Sequence, residues 1–240
     1  MDKKEMLYEG KAKKVYATDD PALCIVSYKD DATAFNGQKK GTIRGKGVIN
    51  NKMSNYLMQR LQAEAGIPTD FVEELSDRDT LLKKVAIVPL EVIVRNIAAG
   101  SFSARFGVPE GTQLLCPTLE FCYKDDALGD PMVNEYHILA CGWATREDLD
   151  VITDYTFRIN AWLKEFFKSV QVDLVDFKIE FGKTADGTIL LADEISPDTC
   201  RFWDSETHEK LDKDRFRRDL GNVEGAYQEM MQRIFGSREA

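Results

Sequence analysis

Short alternating or apolar runs, separated by turn residues, fill the first part of the chain. Three of them, Met6 to Tyr8, Lys14 to Ala17 and Leu23 to Tyr28, have the pattern of short β-strands. The polar stretch that follows, residues 29–47, contains four glycines and predicts a mobile loop or lid. The chain therefore begins with a small β-rich unit.

Helical spacing of apolar residues marks three longer segments. The first runs from Asn50 to Ala65 and stops at Gly66, and the last covers about 213–235. The middle helix starts at the Thr145 cap, with Asp148 placed for an approximate capping box. Its stripe predicts a face buried in the core, formed by Leu149, Ile152, Thr156, Ile159, Leu163, Phe166 and Val170.

Strand-like segments at 71–72 and 85–94 lie between the first two helices, and Pro89 interrupts the second segment. We place the junction of two lobes here, with residues 1–88 forming a β-rich lobe and residues 89–240 a larger α/β lobe. The predicted fold class is α+β.

The segment 175–204 is the most informative in the chain. Two apolar runs flank Asp186-Gly187, a dipeptide favoured in two-residue hairpin turns. If these two residues form the turn, Ala185 faces Thr188 and Glu180 lies directly opposite Asp193. Facing carboxylates repel each other by about 3 kcal/mol at an effective dielectric constant near 20. A Mg²⁺ ion would offset this repulsion, because it is commonly held by two carboxylates together with waters and phosphate oxygens.

A simpler interpretation of this hairpin is that Glu180 and Asp193 lie on its solvent face. Glu194 also breaks the alternation, since the same register places it among apolar side chains. The segment beyond the strand favours the metal site, because Asp198 and Arg201 follow directly after a strand-ending proline.

Two other segments have the composition of anion sites. In the first, Gly10, Lys11, Ala12 and Lys13 form a tight turn that could hold two ammonium groups over a polyphosphate, and the alternative is a plain turn with solvated lysines.

In the second, Arg95 leaves a strand and Ser101 precedes a predicted short helix, Phe102 to Phe106. The alternative here is a buried arginine with a helix N-cap. The region that follows, 108–140, predicts loops and short elements.

Composition narrows the functional classes. Apolar residues make up 43% of the 240 residues and charged residues 30%, which is typical of a soluble globular protein. A net charge of −9 argues against broad nucleic-acid binding.

Five cysteines without a CxxC pair indicate reduced thiols. No apolar signal core or membrane-length apolar run occurs, so we expect a cytoplasmic protein without membrane attachment. His137 and His208 are the only histidines and offer little support for histidine-based catalysis.

Several motifs taken together resemble one family. The segments LYEGKAKKVY, PLEVIVRNIAAGS, DPMVNE, VDFKIEFG, DEISPDTCRFWD and KDRFRRDLG occur in family order over nearly the whole chain. They resemble the phosphoribosylaminoimidazole-succinocarboxamide synthase (SAICAR synthetase) family. The resemblance implies a two-lobed fold, with a small antiparallel β lobe, a larger mixed α/β lobe and the ATP cleft between them. It also implies an ADP-forming ligase of purine biosynthesis, which joins L-aspartate to the carboxylate of carboxyaminoimidazole ribonucleotide (CAIR), with an acyl phosphate as the usual intermediate.

The resemblance also implies roles for individual residues. ATP would be held by Gly10, Lys11, Ala12, Lys13, Val15, Lys84, Glu180 and Asp193, with adenine near 84–88. Mg²⁺ would be held by Glu180 and Asp193. CAIR would be bound by Arg95, Ser101, Asp198 and Arg201. The reacting groups would be placed by Lys178, Asp130 and Lys124.

Other functions remain open at this point. A small-molecule kinase could use the same ATP site and phosphate-binding arginines, and a nucleotide sensor could bind ATP without turnover. Family members are commonly dimeric, so a homodimer is expected. Cys200 lies close to the proposed chemistry, but the reaction needs no thiol there.

Overall fold

A computed structural model describes residues 1–34 and 37–236, and these residues form fourteen strands and six helices. The strands are β1 Met6–Glu9, β2 Lys13–Ala17, β3 Leu23–Tyr28, β4 Asp31–Ala34, β5 Lys39–Thr42, β6 Phe71–Glu74, β7 Asp79–Lys83, β8 Ala86–Ile87, β9 Leu90–Ile97, β10 Gln113–Tyr123, β11 Met132–Val133, β12 Val172–Lys183, β13 Ile189–Ala192 and β14 Cys200–Asp204. The helices are α1 Lys46–Ala65, α2 Gly100–Phe106, α3 Glu135–Cys141, α4 Arg146–Ser169, α5 Asp214–Arg217 and α6 Val223–Phe235.

The first sheet is antiparallel and has the strand order β1-β2-β3-β7-β6. Its first three strands are those that the alternating runs predict, whereas β7 is absent from the prediction. The sequence did indicate β6. The turn between β1 and β2 is closed by a hydrogen bond from Gly10 N to the carbonyl oxygen of Lys13. This turn places Lys11 and Lys13 at one edge of the sheet.

The expectation of a loop over 29–47 is wrong for most of its described residues. Strands β4 and β5 form a two-stranded antiparallel sheet there, and α1 begins at Lys46, earlier than predicted. Residues 35 and 36 lie outside the described residues. Asp30 accepts hydrogen bonds from the backbone N–H groups of Gly45 and Gly47 and pairs with Arg78, which lowers the pKa of Asp30 to about 2. These contacts satisfy the start of α1, which has no side-chain cap of its own.

The second sheet has seven strands, in which β11-β10-β9-β12-β13 form the main order and β8 and β14 also pair with β12. The first half of β12 has β9 and β14 on its two sides, and its last residues have β8 and β13. The neighbours of β12 therefore change near Lys178 and Glu180. Such a change of partners opens the sheet at one point, and the cleft described below lies there.

Two further predictions need correction. Region 108–140 was expected to hold short elements, but it contains the eleven-residue strand β10, whose pairing with β9 is irregular between Gln113 and Thr118. The single helix predicted over 213–235 is two helices, α5 and α6. The break falls at Asp219, Gly221 and Asn222, which all have positive φ angles. Left-handed backbone cannot continue an α-helix, so the chain turns at this point.

The main hydrophobic core packs α1 and α4 against the second sheet. Leu57 and Leu61 of α1 belong to the same buried cluster as Leu163 of α4 and Phe181 of β12. The cap of α4 matches the sequence prediction, because Thr145 and Asp148 form a capping box. The lobe boundary between 88 and 89 stays a prediction. Within 1–34 and 37–236, no helix is long and apolar enough to cross a membrane.

Candidate active site

A cleft of about 350 Å³ lies beside the point where β12 changes partners. Its walls come from β4, β9, α2, β12, β14 and the segment around α5. Most of the side chains that line it are charged or hydroxylic, so the cleft suits a polar, anionic ligand better than an apolar one. Two groups of charged residues reach this cleft: one lines it with Lys178 and Glu91, and the other with Arg95, Asp176, Arg201 and Arg217.

The first group is the lysine cluster, which we define as Lys13, Lys124 and Lys178 with Glu91, Glu180, Asp193 and Glu194. The ammonium group of Lys178 lies 2.6 Å from Glu180 Oε1, 3.3 Å from Asp193 Oδ2 and 3.3 Å from Glu91 Oε1. Lys124 Nζ is 3.0 Å from the same oxygen of Glu180. The carboxylates that the sequence singled out are therefore neighbours.

Lys13 joins the cluster from the first sheet. Its ammonium group donates a hydrogen bond to Asp193 and lies 3.4 Å from Glu194 Oε1. Burial alone would raise the pKa of Asp193, but Lys13 and Lys178 outweigh it and hold the pKa below its usual range. In the same way, burial would lower the pKa of Lys178, whereas Asp193, Glu180 and Glu91 raise it well above its usual value. The opposite charges of Lys178, Lys13 and Asp193 thus stabilise one another.

The register of the hairpin differs from the prediction. Glu180 pairs with Ala192 and Lys183 with Ile189, so the connection is longer than a two-residue turn at Asp186-Gly187. Asp193 follows the strand with a φ of 67°. Left-handed backbone is tolerated by Asp more readily than by most residues. The two carboxylates meet because of this turn and because of Lys178, and not as a cross-strand pair.

The solvent-face interpretation of the hairpin is also wrong. Glu180 and Asp176 on the polar face of β12 are 4% and 3% exposed. Glu194, which broke the alternation, is buried and accepts a hydrogen bond of 2.7 Å from Ser196 Oγ. The irregular position in the sequence was therefore a sign of a buried polar site.

The second group is the arginine ladder, in which guanidinium groups and carboxylates alternate. Its members, in spatial order, are Arg105, Glu120, Arg95, Asp176, Arg201, Asp214 and Arg217. Asp176 Oδ2 lies 2.9 Å from Nη1 of Arg95 and 2.9 Å from Nη1 of Arg201. Each interior arginine is held by two carboxylates, so its plane is fixed before any ligand arrives.

Glycine is required at position 100 because the backbone passes close to the ladder. A Cβ atom there would collide with the guanidinium group of Arg201, and Gly100 has a φ of 53°. Ser101 follows as the second residue of α2, not as its N-cap, which is Ala99. Its hydroxyl accepts a hydrogen bond of 3.0 Å from Arg95 Nη2. The glycine thus allows the backbone to pass close to Arg201.

Asp198 lies at the wall of the cleft and is buried among donors. Lys46 Nζ, itself fully buried, lies 2.8 Å from Asp198 Oδ2, and Lys213 Nζ lies 3.3 Å from the same atom. Tyr227 donates its hydroxyl proton to the other oxygen. Burial would raise the pKa of Asp198, but Lys213 and Lys46 hold it below its usual range.

Other predicted residues lie at the edge of the cleft. Lys11 lines it and reaches Asp126, with Nζ 2.6 Å from Oδ1. Asp130 has a φ of 49° and accepts the backbone N–H of Asp125 at 3.0 Å. Burial raises the pKa of Glu91, and the negative charges of Asp130 and Glu180 act in the same direction.

The remaining predicted nucleotide residues do not meet the two groups directly. Ala12 accepts a backbone hydrogen bond from Lys29, and Val15 pairs with Val26 inside the first sheet. Lys84 has an exposed side chain, and its backbone N–H bonds to the carbonyl oxygen of Ala22. None of these three residues is among those that line the cleft.

Sequence reasoning did not assign Lys46, Glu91, Glu120, Asp176, Lys213, Arg217 or Tyr227 to the site. Asp176 could have been found, since it shares the β12 face with Lys178 and Glu180. The last predicted helix starts in a basic run, 213–218, whose pattern favours a solvated face and leaves a dimer or active-site rim as the alternative. Lys213 and Arg217 of this run line the cleft. Nothing local marks Lys46 or Tyr227, because they reach Asp198 across long distances in sequence.

Cys200 has no access to the chemistry. Its thiol is buried, and burial raises its pKa well above the usual value. A thiolate at this position is therefore strongly disfavoured, in agreement with the expectation that the reaction does not use it.

The carboxylates of Glu180 and Asp193 fit a magnesium ion. Oxygens of both contact one cationic atom, Lys178 Nζ, so both can reach a single positive charge. In the described part of the chain, no group of three or more His, Cys, Asp or Glu side chains is arranged to hold a metal. An ion here would need further oxygens from water or nucleotide phosphates, which is the usual way that Mg²⁺ is bound.

Comparison with known proteins gives a consistent result. The family model described as SAICAR synthetase matches residues 6–234. The chain is 63% identical over 234 residues to the phosphoribosylaminoimidazole-succinocarboxamide synthase of Lachnoclostridium phytofermentans, a match that covers 98% of this chain and 99% of the relative.

Solved structures agree with this result. The crystal structure of phosphoribosylaminoimidazole-succinocarboxamide synthase from Ehrlichia chaffeensis superposes with a TM-score of 0.93 at 48% identity, covering 96% of this chain and 98% of that one. A second structure, of a SAICAR synthetase in complex with ADP, has a TM-score of 0.92 at 45% identity, with 95% of this chain and 97% of that one covered.

Proposed function

The chain belongs to the SAICAR synthetase family, and on this premise we propose that it uses ATP to join L-aspartate to the carboxylate of CAIR, releasing ADP and phosphate. It is a carbon–nitrogen ligase of purine biosynthesis. The observation that carries this proposal is that one cleft is lined both by Lys178 and Glu91 of the lysine cluster and by Arg95, Asp176 and Arg201 of the arginine ladder. ADP in a related structure supports the use of ATP.

The arginine ladder suits the phosphate and ribose side of CAIR. Arg201 is only partly exposed, with 17% of its side chain accessible, and it keeps donor groups that no carboxylate uses. Arg95 and Ser101 lie beside it, and Asp198 faces the same cleft. Planar, fixed guanidinium groups bind phosphate with defined geometry, so CAIR would be held in one orientation.

The lysine cluster suits phosphoryl transfer. Lys11 and Lys13 would contact the ATP phosphates, and Glu180 and Asp193 would hold Mg²⁺, whose charge would neutralise the phosphate oxygens. Gly10, Ala12 and Val15 would shape the phosphate-binding turn, and adenine would lie near 84–88 with Lys84 beside it. Such transfer depends on positioning and charge, which agrees with a site that lacks histidine.

The proposed reaction has two steps, phosphoryl transfer to CAIR and attack by L-aspartate. A carboxylate oxygen of CAIR attacks the γ-phosphorus, ADP departs, and an acyl phosphate forms. The amine of L-aspartate attacks its carbonyl carbon, loses a proton, and phosphate leaves with the bridging oxygen. Lys178 would stabilise the reacting carboxylate, and Asp130 and Lys124 would help to place L-aspartate.

A coupled assay of ADP release with CAIR, with and without L-aspartate, tests this proposal. We expect ADP and free phosphate in equal amounts, and both should depend on L-aspartate for sustained turnover. A kinase would transfer the γ-phosphate stably to its acceptor without L-aspartate. A nucleotide sensor would bind ATP and release no ADP. Either result would overturn the proposal. A cytoplasmic homodimer remains a prediction.

A further inference from the structure

Glu120 is a buried carboxylate that stands behind the cleft, and the reaction outlined above gives it no role. It lies in β10 opposite Ile93 of β9, and Arg95 is paired with Thr118 two residues away. Glu120 and Arg95 are therefore diagonal neighbours on one face of the sheet, within reach of long side chains. Glu120 is 7% exposed and Arg95 is 2% exposed.

The contacts of Glu120 fix the plane of the Arg95 guanidinium group. Oε1 accepts a hydrogen bond of 2.8 Å from Arg95 Nε, and Oε2 accepts one of 3.1 Å from Arg95 Nη2. Oε2 also accepts a 2.6 Å bond from Nη2 of Arg105, at the end of α2. Burial would raise the pKa of Glu120, but Arg95 and Arg105 outweigh it and lower the pKa.

The arrangement leaves Arg95 few ways to move. Nε and Nη2 are bound to Glu120, Nη1 is bound to Asp176, and Ser101 accepts a further bond from Nη2. Without the charge of Glu120, Asp176 would be the only carboxylate on Arg95, and Asp176 is also shared with Arg201. Asp176 alone would then set the guanidinium plane. Arg95 would keep its positive charge, because arginine does not lose its proton in proteins.

The net charge of the arginine ladder also favours the binding of an anion. The ladder has four guanidinium groups and three carboxylates, so it carries one net positive charge in a protein whose overall charge is −9. Glu120 binds two of the four cations and keeps Arg105 close to the others. An anion entering the cleft would meet preformed donors and would not have to reorganise them.

We propose that Glu120 is a positioning residue for anion recognition, which orients Arg95 towards the phosphate of CAIR and holds Arg105 behind it as a second cation. This proposal rests on the proposed function, because it takes CAIR as the ligand of the ladder. Glu120 touches no reacting atom, so its effect should fall on CAIR binding and not on the chemical step.

Glu120→Gln tests the proposal, with Glu110→Gln as the matched control. Glu110 also pairs with two cations, Lys210 and Arg218, but it lies outside the cleft. In Glu120→Gln we expect the KM for CAIR to rise about tenfold, while kcat and the KM for ATP stay within about twofold. Glu110→Gln should leave all three constants unchanged. An unchanged KM for CAIR in Glu120→Gln would overturn the proposal, and so would equal losses in all constants together with a lower unfolding temperature.

Two more variants distinguish the contact of Glu120 with Arg95 from its contact with Arg105. Arg105→Gln should raise the KM for CAIR less than Glu120→Gln does. If it reproduces the full effect, Glu120 acts through Arg105 and the assignment to Arg95 is wrong. Glu120→Asp keeps the charge on a shorter side chain and should recover part of the CAIR affinity. It also provides the same comparison if Glu120→Gln does not fold.

Failure of the proposed function can be recognised separately. Wild-type protein that releases no ADP with CAIR and L-aspartate would contradict the function itself. The role of Glu120 would then be measured with inorganic phosphate as the probe. Phosphate should raise the unfolding temperature of the wild type and of Glu110→Gln more than that of Glu120→Gln. An equal rise in all three proteins would overturn the positioning role.

Discussion

The two ends of the cleft use different cations and hold them differently. In the lysine cluster, ammonium groups on flexible side chains share carboxylates, and the accessible fraction of those side chains runs from 17% for Lys13 to 44% for Lys124. In the arginine ladder, the interior guanidinium groups of Arg95 and Arg201 are 3% and 17% accessible and are each fixed by two carboxylates. Each ammonium group is a point charge that contacts its carboxylates without a fixed plane, whereas each interior guanidinium plane is set by two carboxylates.

This difference matches the demands of the two ligands. If ATP and its metal bind as proposed, they would displace the lysine contacts of Glu180 and Asp193 and later leave, so compact point charges on long side chains would suit them. The CAIR phosphate, bound as proposed, would take no part in bond breaking and would only have to be held, which suits planar donors fixed in advance. We therefore expect variants of the lysine cluster to change kcat and variants of the ladder to change the KM for CAIR.

Asp193→Asn should give the largest effect. The substitution keeps the shape of the side chain but removes half of the carboxylate charge available to the metal, so kcat should fall at least about a hundredfold. The protein should still fold. Asp186→Asn, at the exposed tip of the same hairpin, is the control and should behave like the wild type. Wild-type turnover in Asp193→Asn would end the assignment of this carboxylate to the metal.

Arg201→Ala should give the next largest effect, and this effect should fall mainly on the KM for CAIR. Loss of a charge-assisted donor pair should raise the KM for CAIR by about 10- to 100-fold with a smaller change in kcat. Arg218→Ala, which removes a guanidinium group paired with Glu110 outside the cleft, is the matched control. If the KM for ATP rose in place of the KM for CAIR, the division of the cleft would be reversed.

The sequence predicted a good part of this division. Lys13, Lys178, Glu180 and Asp193 were all named, although the pairing proposed for the two carboxylates was wrong by one residue of register. Turn length decides register, and the loop at Thr184 to Thr188 is closed by side-chain contacts that a dipeptide pattern does not show. A positive φ at Asp193 then brought the carboxylate to the same place by another route.

The ladder was harder to predict, because its carboxylates come from distant parts of the chain. Glu120 lies on a strand that the sequence pattern missed, and Asp214 lies in a basic run that suggested a solvated surface. Alternation along one strand shows which face a residue takes, but not which strand stands beside it. The first three strands were predicted because their signals are local.

The smallest predicted effect concerns how the unfolding free energy of the protein changes with pH. Asp212 is buried next to Asp214, and burial together with that neighbour raises the pKa of Asp212 to about 7. Its folded-state pKa lies above its unfolded value, so the folded protein takes up a proton. Its contribution to stability is therefore full at pH below the usual carboxylate range and is lost as pH rises towards 7.

Asp212→Asn should remove this dependence. The amide cannot accept both backbone bonds that Asp212 accepts, from Phe202 and Asp214, so the variant should be less stable at pH 5. The difference in unfolding free energy between variant and wild type should shrink from pH 5 to pH 8, because the wild type loses this contribution over that range and the variant does not. Urea unfolding at both pH values measures it, and a difference that grows with pH would contradict the assigned pKa direction.

Transfer of a labelled oxygen tests the central claim most directly, namely that the CAIR carboxylate meets the γ-phosphate of ATP between the lysine cluster and the arginine ladder. CAIR with ¹⁸O in its carboxylate would be converted with ATP and L-aspartate, and the released phosphate analysed by mass. We predict that each phosphate formed carries one oxygen from the labelled carboxylate. Phosphate without the label would contradict the acyl phosphate and, with it, the way we assign the two ends of the cleft.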